Sequence, residues 1–265
     1  MHSLPLAPGP HGPSVRITRV ADQQWHAVAD DQVLGRGDAA QRFDGRLFIS
    51  IDAWHDAAFD GLAAAMLADL PAPLHTVVDE SDLALVSHWK RLGFRIARRE
   101  RSYRLPTDPA MTGLVPVPPP SGITIVPAGQ AHEGPLRVLD RTIRDEVEAT
   151  AGWRTMPAEV LPPRTGTTVV DPSAYVAAAE SGRYVGLLRV ARVPRRPRIG
   201  LIAVRADRQR RGVARAMLAQ ALNALHTAGE ATAWAEVDES NGPAAALFEG
   251  AGAERAGGVL ELVRD

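Results

Sequence analysis

The chain has 265 residues, of which 45% are hydrophobic and 23% charged, and a formal net charge of -1. This predicts a globular protein of one large domain or two small ones, and it argues against a nucleic-acid partner held by bulk charge. The absence of cysteine excludes disulfides, a thiolate nucleophile and cysteine-ligated metal.

The opening segment, Met1 to Ser14, has no basic start followed by an apolar core, and no apolar run approaches the ~20 residues of a membrane span. A cytoplasmic protein without membrane contact is expected. Lys90 is the only lysine, so nearly all positive charge is arginine.

The chain is written twice. "GLAAAML" at Gly61 to Leu67 is echoed by "GVARAML" at Gly212 to Leu218, an offset of 151. The same offset pairs Gly35 with Gly186, and "LHT" at Leu74 with "LHT" at Leu225. After a gap, "VDESD" at Val78 matches "VDESN" at Val237, setting Trp89 opposite Phe248 and Gly93 opposite Gly252. Two copies of one unit are expected, over residues 1–105 and 123–265, with the proline-rich segment 106–122 as an extended linker. The first copy is shorter, because it reaches its first strand pair without the long helical segment of the second.

In chain order, the second copy begins with an alternating strand at Gly122 to Gly129. A helix follows at His132 to Ala149, with Leu136, Leu139, Ile143 and Val147 at helical spacing. Pro157 to Leu161 reads as a short second helix. Tyr175 to Val193 reads as a hairpin turning at "ESGR". Arg198 to Asp207 is a continuous apolar run, expected to be a buried central strand. A long amphipathic helix spans Gly212 to Gly229. Another strand covers Thr232 to Ser240, then a short helix from Asn241 with Asn as N-cap and Pro243 in its first turn. "GGVLELVRD" closes as a strand. The fold class is α/β, with a mixed central sheet flanked by helices.

A strand, then "RQRRGVA", then a helix is the grammar of an anion site. The first N–H groups of a helix lack intrahelical partners and carry the positive end of its dipole. Gly212 lets a phosphate approach the backbone, Ala214 keeps the next turn small, and Arg208, Arg210 and Arg211 add mobile charge. Neither G-x-x-x-x-G-K-[ST] nor G-x-G-x-x-G is present.

Gln209 to Ala214 has the form Q-x-x-G-x-A. This resembles the phosphate-binding signature of the GCN5-related N-acetyltransferases (GNATs). Asn241, Ala244, Leu247, Phe248 and Gly252 fit that family's N-x-x-A-x-x-[LF]-[YF]-x-x-x-G, and the agreement spans roughly Tyr175 to Asp265. Through the repeat, the resemblance implies two tandem acyl-CoA N-acyltransferase folds. It further implies acetyl-CoA as co-substrate and no metal. The diphosphate would sit on the amides of Arg211, Gly212, Val213 and Ala214, with Gln209 and Arg210 alongside. The pantetheine would add to the strand edge at Ala203, Val204 and Arg205, and Asn241 would bond the pantetheine arm near Phe248. The first copy reads "HDAAFDG" at His55 to Gly61, where Asp56 and Asp60 replace arginine, and Asp82 stands for Asn241. That copy is expected to be a structural half that binds no coenzyme.

Direct acetyl transfer needs a base, a polarised carbonyl and a proton for the thiolate. Glu236 is the first candidate base, Asp238 the second on the same strand face. An amide near Val204 would polarise the thioester. The family often has tyrosine as acid where Phe248 stands, which leaves the acid unassigned. Asp145, Glu146 and Glu148 beside Trp153 suit a protonated amine. The expected partner is a small-molecule or peptide amine, not nucleic acid, and homodimer formation is left open. The competing reading is an acyl-CoA-binding regulatory module without turnover.

Overall fold

The computed structural model describes residues 15–42, 45–114, 118–150, 170–191 and 196–265. Its first half runs β1 (Arg16–Ala21), β2 (Gln24–Ala29), β3 (Gln32–Gln41), β4 (Leu47–Ala53), α1 (Asp56–Asp69), β5 (Leu74–Asp79), α2 (Leu83–Arg91) and β6 (Arg95–Pro106). A short helix, α3 (Pro109–Thr112), follows. The second half runs β7 (Ile123–Val126), α4 (Glu133–Thr150), β8 (Tyr175–Glu180), β9 (Arg183–Ala191), β10 (Arg198–Val204), α5 (Val213–Thr227), β11 (Thr232–Asp238), α6 (Gly242–Glu249) and β12 (Glu254–Arg264).

The repeat read from the sequence reappears strand for strand. β1 to β4 and β7 to β10 each form an antiparallel run, and each leads through a helix to a parallel neighbour, β5 or β11. β1 turns directly into β2, whereas α4 stands between β7 and β8. The helices α2 and α6 start alike: Asp82 accepts from Leu85 N at 2.9 Å and Asn241 from Ala244 N at 3.1 Å. Each side chain satisfies an N–H that the first helical turn leaves without a partner.

The twelve strands among the described residues form one sheet, in the order β1-β2-β3-β4-β5-β12-β6-β11-β10-β9-β8-β7. The last strands of the two halves have changed places. β6, from the first half, pairs antiparallel with β11, from Thr232↔Pro106 to Asp238↔Glu100. β12, from the second, pairs with β5, from Arg264↔Leu74 to Val259↔Asp79. The cores follow: Tyr103 and Leu105 of β6 are buried with α5 and α6, and Leu260 and Leu262 of β12 with α1 and α2. Each half therefore depends on the other for apolar surface worth about 1.5–3 kcal/mol per large side chain.

The helices α1, α2, α5 and α6 cover one sheet face. On the other, Leu136, Leu139 and Ile143 of α4 pack on Tyr175, Ala177 and Leu187. Gly186 lies under α5, where a Cβ would come within 2.9 Å of Met217 Cε.

Three expectations need correction. The segment 106–122 is not simply extended: Thr107, Thr112 and Leu114 are buried, and Asp108 caps α3 by accepting from Ala110 N. β10 is only half-buried from Gly200 to Val204, because β11 parts from it. In the first half α1 begins at Asp56, directly after β4, so Gly61 lies inside a helix where the second half has the loop 205–212. The helix expected at 157–161 lies outside the described residues.

Candidate active site

β10 and β11 run parallel but pair only at their start. The register is Arg198↔Trp234, and Trp234 N donates to Pro197 O at 2.9 Å. Beyond that point β11 bonds β6 on its far side, and a seam opens along Ile202 to Val204. Arg205 N donates to Val185 O, toward β9. Strand alternation then turns the Val204 N–H the other way, into the seam. The Val204 carbonyl accepts from Gln209 Nε2 at 3.1 Å, which fixes the loop at the seam's mouth.

The loop ends in an unusual helix start. Arg210 has φ 59° and Gly212 φ 81°, both left-handed, and no side chain caps α5. Among the described residues, the amides from Arg211 to Arg215 have no acceptor within the chain. α2 and α6 are capped by their own side chains, whereas the first N–H groups of α5 are not.

Two carboxylates hold this loop from outside. Glu146 of α4 accepts from Ala206 N at 2.9 Å. Glu180, at the end of β8, accepts from Arg208 Nε and lies 3.2 Å from Arg211 Nη2. The hydrogen bond from Arg208 and the charge of both arginines hold the Glu180 carboxyl below the usual carboxylate range.

Glu236 stands on the face opposite α5, because Ala235 and Val237 point into the core. Its Oε2 is 3.1 Å from Arg198 Nη1, at the closed end of the seam. Below it, Arg196 stacks over Trp234 with 4.0 Å to the ring centroid. Across β6 its register partner is Ser102, a residue of the first half.

Residues 142–253 match the acetyltransferase (GNAT) family model. The second half is a GNAT-family domain. Among solved structures, a GCN5-related N-acetyltransferase from Sphaerobacter thermophilus aligns with TM-score 0.63 at 18% identity, over 93% of this chain and 82% of that one. A tandem GNAT protein from the clavulanic acid biosynthesis pathway gives TM-score 0.64 at 15% identity, over 91% and 82%. A GCN5-related N-acetyltransferase from Kribbella flavida gives 0.56 at 18% identity, over 94% and 89%. Such identities establish the fold, and through the family match an acyl-transfer scaffold. No curated protein sequence matches the chain.

The GNAT domain gathers most of the residues expected from the sequence, but not in every expected role. Ala203, Val204, Arg205, Gln209, Arg210, Arg211, Gly212, Val213 and Ala214 surround the mouth of the seam. Asn241 spends its carbonyl oxygen on the α6 cap and leaves its amide NH2 to donate elsewhere. Phe248 is buried against Tyr103, 6.2 Å between centroids, instead of facing a ligand. Asp238 is not placed as a base: one oxygen accepts from Ser240 N and Oγ, the other from Arg98 Nε at 3.0 Å. Glu146 braces the loop and does not stand free for an amine, and Glu148 is exposed. Trp153 lies outside the described residues.

Sequence reasoning missed Arg198, Glu180 and Ser102. Arg198 and Ser102 meet Glu236 across strands, and Glu180 meets arginines of a loop that follows two strands later, and no local pattern marks such pairings. Among the described residues no cluster of three or more His, Asp or Glu side chains is arranged to hold a metal, and no helix is long and apolar enough to cross a membrane.

Proposed function

We propose that the GNAT domain transfers acetyl from acetyl-CoA to a primary amine by direct attack. The observation that carries this reading is the parted β10–β11 pair with uncapped α5 amides at its mouth. The residues fit a coenzyme: the amides of Arg211 to Ala214 and the arginines would hold the diphosphate, and the Val204 edge and Asn241 amide the pantetheine. Bound there, the coenzyme supplies an activated acyl thioester. The Val204 N–H would polarise its carbonyl, and Glu236, directly or through water, would take a proton from the amine as the new C–N bond replaces the C–S bond and the coenzyme's sulfur leaves as thiolate. The first half keeps the seam (Leu47↔Leu74, Phe48↔His75) but has no loop before α1 and carries Asp56 and Asp60 there. It therefore serves as scaffold, supplying β6 beside β11.

The acceptor is a small-molecule or peptide amine. A second reading, acyl-CoA binding without turnover, draws on the Arg198–Glu236 pair and on Phe248 where the family often has an acid. One experiment tests both: calorimetric titration with acetyl-CoA, then turnover against polyamines, aminoglycosides, amino acids and peptides. Binding with acetylation of one acceptor class supports the enzyme. Binding with no turnover supports the second reading, and no binding rejects both.

A further inference from the structure

The arginines at the coenzyme loop already have an anion. Glu180 comes from a different strand, its side chain is 19% exposed, and it reaches both Arg208 and Arg211. Arg208 keeps a second contact, its Nη1 lying 2.9 Å from Asp207 Oδ2. Beside this cluster is a cavity of about 480 Å³, lined by Glu180, Arg183, Arg205, Asp207 and Arg208 among others. The cavity gives the arginine side chains room to turn, while Gln209 and Glu146 hold the backbone of the loop fixed.

We propose that Glu180 is an internal competitor for the coenzyme's phosphates, resting in the ligand-free chain on the two arginines that the phosphates need. This rests on the coenzyme reading above. A carboxylate and a phosphate make the same charge-assisted hydrogen bonds to guanidinium, so the ligand must displace Glu180 rather than meet free arginines. Binding becomes an exchange of one anion for another. Affinity is lowered, and the arginine loop stays ordered and neutralised when no coenzyme is present. Other phosphates of the cell meet the same barrier, and only a ligand that also fills the seam repays it.

The test is calorimetric titration of the full chain and of Glu180→Gln, with CoA and with pantetheine, which has no phosphate. E180Q should bind CoA roughly three- to tenfold more tightly, as expected for removing a partly exposed ion pair, and pantetheine unchanged. Adding Arg208→Ala to E180Q should abolish the gain, with far-UV circular dichroism confirming that both variants fold. If the full chain binds CoA and E180Q binds it equally or more weakly, Glu180 merely orients the arginines, and the competitor is refuted while the coenzyme site stands. If neither binds CoA, the coenzyme reading fails and takes this proposal with it.

Discussion

Glu100 and Val259 face each other across the middle of the sheet, and they are 159 residues apart. That is the separation of Asp79 from Asp238 and of Asp82 from Asn241. The internal two-fold of the chain therefore passes between Glu100 and Val259. Around it Arg99 reaches both Glu80, at 3.2 Å, and its counterpart Glu239, at 3.7 Å.

Strand exchange about this axis makes the halves inseparable. Residues 118–265 produced alone would leave the β11 edge bare from Thr232 to Asp238 and expose Leu260 and Leu262. A bare edge and an apolar face invite aggregation. Light scattering after size exclusion should find this fragment aggregated or oligomeric. Co-production with residues 1–114 should give a soluble one-to-one complex. A monomeric fragment with a single sharp melting transition would contradict the exchange.

The repeat, the Asn241 cap and the helix from Gly212 were legible because each is local: an offset, a cap position, a 3.6-residue period. The exchange was not. β12 read as an ordinary closing strand after a short helix, and period 2 says which face a residue takes without saying which strand lies alongside. The candidate site divided in the same way. Gln209 to Ala214 was legible from its spacing, whereas the engagement of Glu146 with Ala206 N depends on α4 crossing to a loop 60 residues away. The loss of the first-half loop was legible only as a charge change at Asp56 and Asp60. Its cause is that α1 begins directly after β4.

At Gly212 the space is open, since the nearest atom to an added Cβ is Pro120 Cγ at 3.7 Å, but φ is 81°. Gly212→Ala should therefore fold, at a cost of about 1–2 kcal/mol for the left-handed conformation. Relaxation of that strain would turn the α5 amides from their shared direction. Titration should show CoA affinity down at least tenfold, with a melting temperature lowered by only a few degrees. Unchanged CoA affinity would remove the amides from the site.

Glu261 of β12 joins the halves by charge: Arg46 Nη1 lies 2.5 Å from its Oε1, and His75 Nδ1 3.0 Å. Burial pushes its carboxyl up, but His75, Arg46 and Arg98 together outweigh this and bring it below the usual range. A carboxyl lowered on folding stabilises above its unfolded value, and that contribution fades as pH falls toward the folded one. Glu261→Gln should cost about 1.5–3 kcal/mol at pH 7, since it removes the carboxylate charge that Arg46 and His75 both face. Urea titrations should show the two proteins converging below pH 4, and a constant difference down to pH 3 would contradict this account.

Glu236→Gln keeps the shape of the side chain and removes the base. If Glu236 takes the amine proton, kcat should fall by about 10²- to 10⁴-fold, with CoA affinity unchanged. Structure and chemistry separate through Arg198. Its contact with Glu236 closes the seam between β10 and β11, and Gln retains a hydrogen-bond acceptor for it, so E236Q should melt close to the parent. Arg198→Ala frees Glu236 and should leave kcat within about tenfold. Equal loss of activity and stability in E236Q would make the pair a brace for the seam and assign the proton to solvent.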